Sequence, residues 1–147
     1  MAAKVKIEGI KTLRKQLENL VKAIEPDRSE PILLEAAEMI AAGIEKRAPL
    51  GPTGNLKKSV KAKQLKRRGK NPAPAIAAID RKIAPHANYV EKGSKGVRVA
   101  KKGKYKGKSF GVMPKSNFFK KGVRNTQKKA LHHVVTKLQA LIEGATK

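Results

Sequence analysis

Apolar residues recur along this chain with two different periods. Ile7, Ile10, Leu13, Leu17, Leu20, Val21 and Ile24 follow one another mostly at intervals of three and four. That spacing gathers side chains into one stripe of a helix and predicts one over roughly 8–24. Pro26 ends it, and Asp27 with Glu30 has the spacing of a capping box for a second helix. The second helix is expected to run to about Arg47, with Leu33, Ala37, Ile40 and Ile44 on one face. Ala36, Ala41, Ala42 and Gly43 leave other parts of it thin, so that a neighbouring element can come close. Lys46 and Arg47 suit the C-terminal end of the helix dipole, and Pro49 stops the helix.

Beyond a turn-rich connector at 48–54 the period shortens. Leu56, Val60 and Ala62 are interspersed with Lys57, Ser59, Lys61 and Lys63, the pattern of a strand with one wet, basic face. Asn71-Pro72-Ala73-Pro74 marks a loop, and Ala75–Ile79 reads as a short apolar strand. His86–Glu91 is expected to make a single helical turn ended by Gly93. The Gly- and Lys-rich tract at 94–112, with Val97, Val99, Tyr105 and Phe110 interspersed, reads as a basic β-hairpin or a mobile arm. A last helix from about Asn117 carries Leu131, Val134, Val135, Leu138, Leu141 and Ile142 as its apolar face. The expected fold class is α+β: two N-terminal helices and a long C-terminal helix packed on a small antiparallel sheet, with a basic hairpin or arm. At 147 residues, 1–147 is expected to form a single domain with no internal repeat.

Composition narrows the function. Zero cysteines remove disulfides, thiol nucleophiles and cysteine zinc sites. No apolar run approaches the roughly 18 residues of a membrane span, and no signal-peptide pattern is expected at the start. Charge changes the picture most. The chain has 35 Lys and Arg against 11 Asp and Glu, a net +24, whereas a small domain ordinarily carries a charge of magnitude about 2–8. The excess is local: residues 49–122 hold 21 cations and 2 acids, while residues 1–48 hold 9 and 8. A block of this kind repels itself unless it faces an anion. Three readings follow from charge alone: contact with nucleic acid, contact with an acidic protein, or a lumen that nucleic acid passes through.

Candidate chemistry is sparse. His132 and His133 are neighbours, about 100° apart on a helix, so they do not share a face as zinc ligands would; one should edge the core and the other face solvent. Asp80 and Glu91 are the only acids of the basic half, and among so many cations they read as ion-paired residues. Gly51-Pro52-Thr53-Gly54 lacks the spacing of a phosphate loop, and Pro52 removes a backbone donor. No enzyme activity, cofactor or metal is expected. Aromatic residues are 3% of the chain, so base-stacking platforms are scarce, although Tyr105 sits within the Lys-rich tract.

Four stretches, in order, carry a family likeness. Val5-Lys6-Ile7-Glu8-Gly9-Ile10 leads into the first helix. Arg47-Ala48-Pro49 then precedes Pro52-Thr53-Gly54-Asn55-Leu56-Lys57-Lys58-Ser59-Val60, and Ala84-Pro85-His86-Ala87-Asn88-Tyr89-Val90-Glu91-Lys92-Gly93-Ser94 follows. A Pro114–Phe119 segment comes before the C-terminal helix. The arrangement resembles the tail-completion, or head–tail joining, proteins of long-tailed phages and prophages, whose hallmarks are AP-x-x-TGNL-x-x-S, YA-x-YVE-x-GT and PFL-x-PA stretches. This chain has Lys92 where that family has an aromatic and Ser94 for a Thr, and its 95–108 tract is longer and more basic.

The resemblance implies a structural virion protein of the neck, completing the tail and joining it to the DNA-filled head as part of a six-membered ring. Implied partners are further copies of itself, a head-side adaptor or stopper ring, the tail tube protein and packaged double-stranded DNA, with no membrane. It would be located in the virion and, during assembly, in the host cytoplasm. The motif residues Pro49, Thr53, Gly54, Asn55, Leu56 and Ser59, and Ala87, Tyr89, Val90, Glu91 and Gly93, are read as scaffold. In that reading Thr53 caps, Gly54 permits a tight turn, Leu56 anchors the core, and Tyr89, Val90 and Glu91 pin a short turn onto the sheet, with Glu91 taking a nearby Lys or backbone donor. The expected DNA-channel or partner-facing cations are Lys57, Lys58, Lys61, Lys63, Lys66, Arg67, Arg68 and Lys70, then Lys95, Arg98, Lys101, Lys102, Lys104, Lys106 and Lys108. The alternative is a sequence-independent nucleic-acid-binding accessory protein.

Overall fold

The computed structural model describes residues 10–146 apart from 52, 98 and 110, with side-chain detail from residue 14 to 145. Ile7, Arg98 and Phe110 therefore lie outside the described residues, as do the side chains of Ile10 and Leu13. Among the described residues five helices and two strands follow in the order α1 (Ile10–Ala23), α2 (Pro26–Arg47), α3 (Asn55–Lys58), β1 (Val60–Gln64), β2 (Ala75–Ile79), α4 (Ala87–Lys92) and α5 (Phe118–Thr146). The fold class is α+β, as the periodicity predicts.

Helix α2 is the hub. It packs along α5 on one side and on both strands on the other, while α1 joins the body by lying against α5. Small residues make the α2–α5 approach possible: a Cβ added at Gly122 would stand 2.5 Å from Ile44 Cα, and one at Gly43 would stand 2.3 Å from Thr126 Cγ2. The thin side of α2 read from Ala41, Ala42 and Gly43 is thus used for a close helix crossing. Ile44 and Phe118 are fully buried beside it, in one cluster with Ala41, Ala48, Leu56, Val60, Ala84 and Ala87. Each of the larger apolar side chains in that cluster adds about 1.5–3 kcal/mol of burial free energy.

The sheet is a two-stranded antiparallel pair in the register Val60↔Ile79, Ala62↔Ala77 and Gln64↔Ala75. Lys61 and Lys63 are exposed and Val60 is buried, which is the wet, basic face expected for β1. The expected strand begins too early, however. Asn55–Lys58 is one helical turn, because Gly54 adopts a left-handed conformation (φ 63°) and turns the chain before Leu56. Leu56 enters the core from that turn, and buried Ser59, whose hydroxyl donates to the Leu56 carbonyl at 2.6 Å, hands the chain to β1.

A second expectation also fails. Asp27 and Glu30 form no capping box: Glu25 occupies the cap position of α2 without a side-chain bond, and Pro26 starts the helix, a position that suits its missing N–H. Both acids reach instead to Arg67 in the loop between the strands. On α5 and α1 the apolar stripe is right in period, yet much of it is wet. Leu17 and Val21 of α1, Ile24 just after it, and Leu131, Val135 and Ile142 of α5 are exposed, Leu131 at 66%.

The 94–112 tract is a looped-out arm in which Val99 and Ser109 form an antiparallel bridge, supported by Ala100 N–H donating to the Lys108 carbonyl at 3.0 Å. Its base is clasped. Ser94 N–H donates to the Met113 carbonyl (3.0 Å) and Met113 N–H to Ser94 Oγ (2.9 Å). Ser116 and Asn117 N–H groups donate to the carbonyls of Val90 and Glu91.

Candidate functional site

Two of the family-like stretches, 47–60 and 84–94, meet the body in different ways. In the first, Thr53 does not cap the helix itself; Gly54 holds the cap position and Thr53 Oγ1 accepts from Asn55 N–H at 3.4 Å. Pro49 follows Ala48, whose extended backbone (ψ 128°) is what a residue before proline requires, so α2 ends there. In the second, Ala87 is buried and Val90 packs against the core one turn on. Tyr89 does not pin the turn: it lies on the opposite side of α4 and is 59% exposed. Gly93 closes α4 at φ 70°, and a Cβ there would meet the Met113 carbonyl at 2.7 Å, so the clasp at the arm's base requires glycine.

Glu91 has a defined structural task. Its carboxylate accepts Phe119 N–H at 2.9 Å and Lys120 N–H at 3.3 Å, two of the N–H groups that the first turn of α5 cannot satisfy internally. Asp80 similarly accepts Lys82 N–H at 2.9 Å. For Asp80 the expectation of an ion pair is corrected, since a backbone amide occupies it, while Glu91 takes backbone donors, one of the two kinds of partner expected for it. Neither converges with another acid, and among the described residues no cluster of His, Asp and Glu could hold a metal.

The basic residues divide into groups. Lys57 is half-buried and Lys58 exposed on α3, and Lys61 and Lys63 line the outer face of β1. Lys66, Arg68 and Lys70 are exposed in the 65–74 loop. Arg67 is bound within the chain: its guanidinium donates to Glu30 Oε1 at 2.6 Å and also to Asp27. Glu30 accepts Ala73 N–H as well, at 2.9 Å, so one carboxylate fastens both ends of the loop to α2. The Arg67 bond, followed by the Ala73 bond, holds the Glu30 carboxyl below its ordinary pKa, and Arg67 is held above its own. Lys95 is exposed at the start of the arm, and Lys101, Lys102, Lys104, Lys106 and Lys108 are exposed at its tip, where Lys108 Nζ lies 5.6 Å from the Tyr105 ring centre. On α5, His133 contacts Glu35 of α2 at 2.7 Å while His132 faces solvent, as adjacency on a helix predicts. The His133 bond holds the Glu35 carboxyl low.

Sequence reasoning missed Arg81 and Lys92. Both line a cleft of about 560 Å³ with Asn88, Tyr89 and Lys95. The only signal was a charged turn directly after a strand, and nothing in the spacing joins residue 81 to residue 92.

Among the described residues an apolar stripe and many cations are exposed, and no reactive groups converge. Residues 11–93 match the family described as "Bacteriophage HK97-gp10, putative tail-component", and the chain belongs to that family. The match spans more than half of the 147 residues. It ends at Gly93, where the arm begins. The protein is accordingly a structural component of a phage tail, located in the virion and in contact with other virion proteins. No curated protein and no solved structure matches the chain. Among the described residues no helix is long and apolar enough to cross a membrane.

Proposed function

We propose that this chain is a neck protein that completes the tail and joins it to the DNA-filled head, acting as one subunit of a six-membered ring. One observation carries the reading. The stripe of Leu17 and Val21 on α1, Ile24 just beyond it, and Leu131, Val135 and Ile142 on α5 is exposed in the single chain, and an apolar stripe of this kind gains burial when subunits associate. Residues 1–147 act as one unit in this reading. The exposed cations of the 65–74 loop and of the arm face packaged DNA or an acidic ring, since 11 acids per subunit cannot offset 35 cations. Its partners are the head-side adaptor or stopper ring and the tail tube.

Electron microscopy of lysates from the source phage lacking this gene tests the role. Filled heads beside unattached tails are expected; intact tailed particles would refute it. Charge reversal at Lys101, Lys102, Lys104 and Lys106 should block joining while the subunit remains folded. The net charge of +24 also favours a nucleic-acid-binding accessory protein. That second reading requires tight, steeply salt-dependent DNA binding by the isolated chain.

A further inference from the structure

Among the described residues the sheet has two strands, so each strand has one edge with no described strand beside it. The two edges differ in sequence. β1 carries Lys61 and Lys63, the residue type that guards an edge, whereas β2 is Ala75-Ile76-Ala77-Ala78-Ile79 and carries no charge. Leu65 N–H donates to the Pro74 carbonyl and Asp80 N–H to the Ser59 carbonyl. Hydrogen-bonded pairs alternate along an antiparallel ladder, so Lys63–Ile76 and Lys61–Ala78 exchange bonds. Ala75, Ala77 and Ile79 therefore turn their N–H and C=O groups away from β1.

A cleft of about 350 Å³ touches Ala77, Ala78 and Ile79 in succession. Successive side chains of a strand point to opposite faces, so a cavity in contact with all three reaches the strand's edge. Its other walls come from Ala87, Asn88 and Glu91 of α4, Phe119 of α5, and Arg81. At Arg81 and Asn88 it adjoins the larger cleft of Tyr89, Lys92 and Lys95. Among the described residues, no ion pair engages Arg81, Lys92 or Lys95.

We propose that this groove receives an extended, acidic segment of a partner protein, which pairs its backbone with the β2 edge and sets carboxylates against Arg81, Lys92 and Lys95. The edge offers donors and acceptors in alternation, and a peptide backbone answers both, whereas a phosphodiester only accepts. Ala77, Ala87 and Phe119 give the groove apolar walls for the alternate side chains of such a strand. A second copy of this chain fits poorly, since it would bring a further +24 to a rim that is already basic. The inference rests on the assembly role proposed above and names one of its contact surfaces. Its test uses the isolated chain, so its failure would leave the knockout phenotype untouched.

The probe is a fluorescent peptide of about eight residues alternating Val and Glu, long enough to span the five-residue edge. Binding should slow hydrogen exchange at the Ala77 and Ile79 amides. The double variant Arg81→Glu, Lys92→Glu, at two exposed positions, should weaken binding about tenfold. Ala77→Pro removes an edge donor without removing a β1–β2 bond and should abolish it. If that variant does not fold, the exchange readout on the wild-type chain decides. Unchanged affinity in the double variant, or no protection at Ala77 and Ile79, overturns the proposal. Equal binding of a Val/Lys peptide, or protection of those amides by a short DNA duplex, overturns it as well.

Discussion

Replacing Gly122 by alanine tests the helix crossing on which the body is built. The added Cβ would stand 2.5 Å from Ile44 Cα, 2.9 Å from Ile44 N and 3.0 Å from the Gly43 carbonyl oxygen. All three are backbone atoms, so no side chain can rotate aside and α2 and α5 must part. Ile44 and Phe118, now sealed from water, lose contact as they do. Alanine gains about 1 kcal/mol over glycine from helix propensity, and forcing a methyl group into a packed core costs about 1–3 kcal/mol. Because the obstruction is backbone on one side of a fully buried cluster, the cost takes the upper end, for a net loss of about 2 kcal/mol. In a chain of this length that lowers Tm by about 4–8 °C. Urea unfolding should show a lower midpoint at unchanged slope. Gly43→Ala is the informative comparison: it meets the side chain of Thr126, which can turn by giving up its 2.8 Å bond to the Gly122 carbonyl, and should cost less. Gly144→Ala meets nothing within 4 Å and should not destabilise. A Gly122→Ala protein as stable as wild type would refute the close crossing.

Three further outcomes are expected. Glu91→Ala leaves the Phe119 and Lys120 amides without their acceptor and should cost about 1 kcal/mol, with faster exchange at those two amides; unchanged exchange would exclude the cap. Arg67→Ala should release the 65–74 loop, read as faster trypsin cleavage after Lys66, Arg68 and Lys70 with little change in Tm. Acid should act on the same tether. Glu30 and Glu35 have folded-state pKa values below the ordinary 4.5, so each contributes stability that is fully present above that value and is lost as pH falls through the lower folded value. The Ala73 amide, bonded to Glu30, should therefore titrate by NMR with a midpoint under 4.5.

Periodicity made the long helices legible, since three-and-four spacing depends on local geometry alone. It could not say which part of a stripe finds a partner: Leu20 is half-buried and Leu17 and Val21 are wet, and the difference lies in where α5 runs. Charge read along the chain was equally blind to pairing across distance. Asp27 and Glu30 have the spacing of a cap, yet a guanidinium some forty residues on takes both. Gly54 explains the misread strand, because a left-handed residue redirects the chain whatever alternation follows it. Of the candidate surface, the cations were visible as a block. The β2 edge and the cleft beside it were not, since register, α4 and α5 together create them.

The clasp at the base of the arm makes the arm's length a free variable. Ser94 and Met113 are bonded to each other, and Val90 and Glu91 hold Ser116 and Asn117, so the chain leaves the body and returns at one place. Closing a longer excursion from a fixed doorway costs only about 0.6 kcal/mol for each doubling. Insertions or deletions between 95 and 112 would then pass without moving α4 or the start of α5. An arm of another length or charge can be carried on the same clasp while the scaffold stays the same.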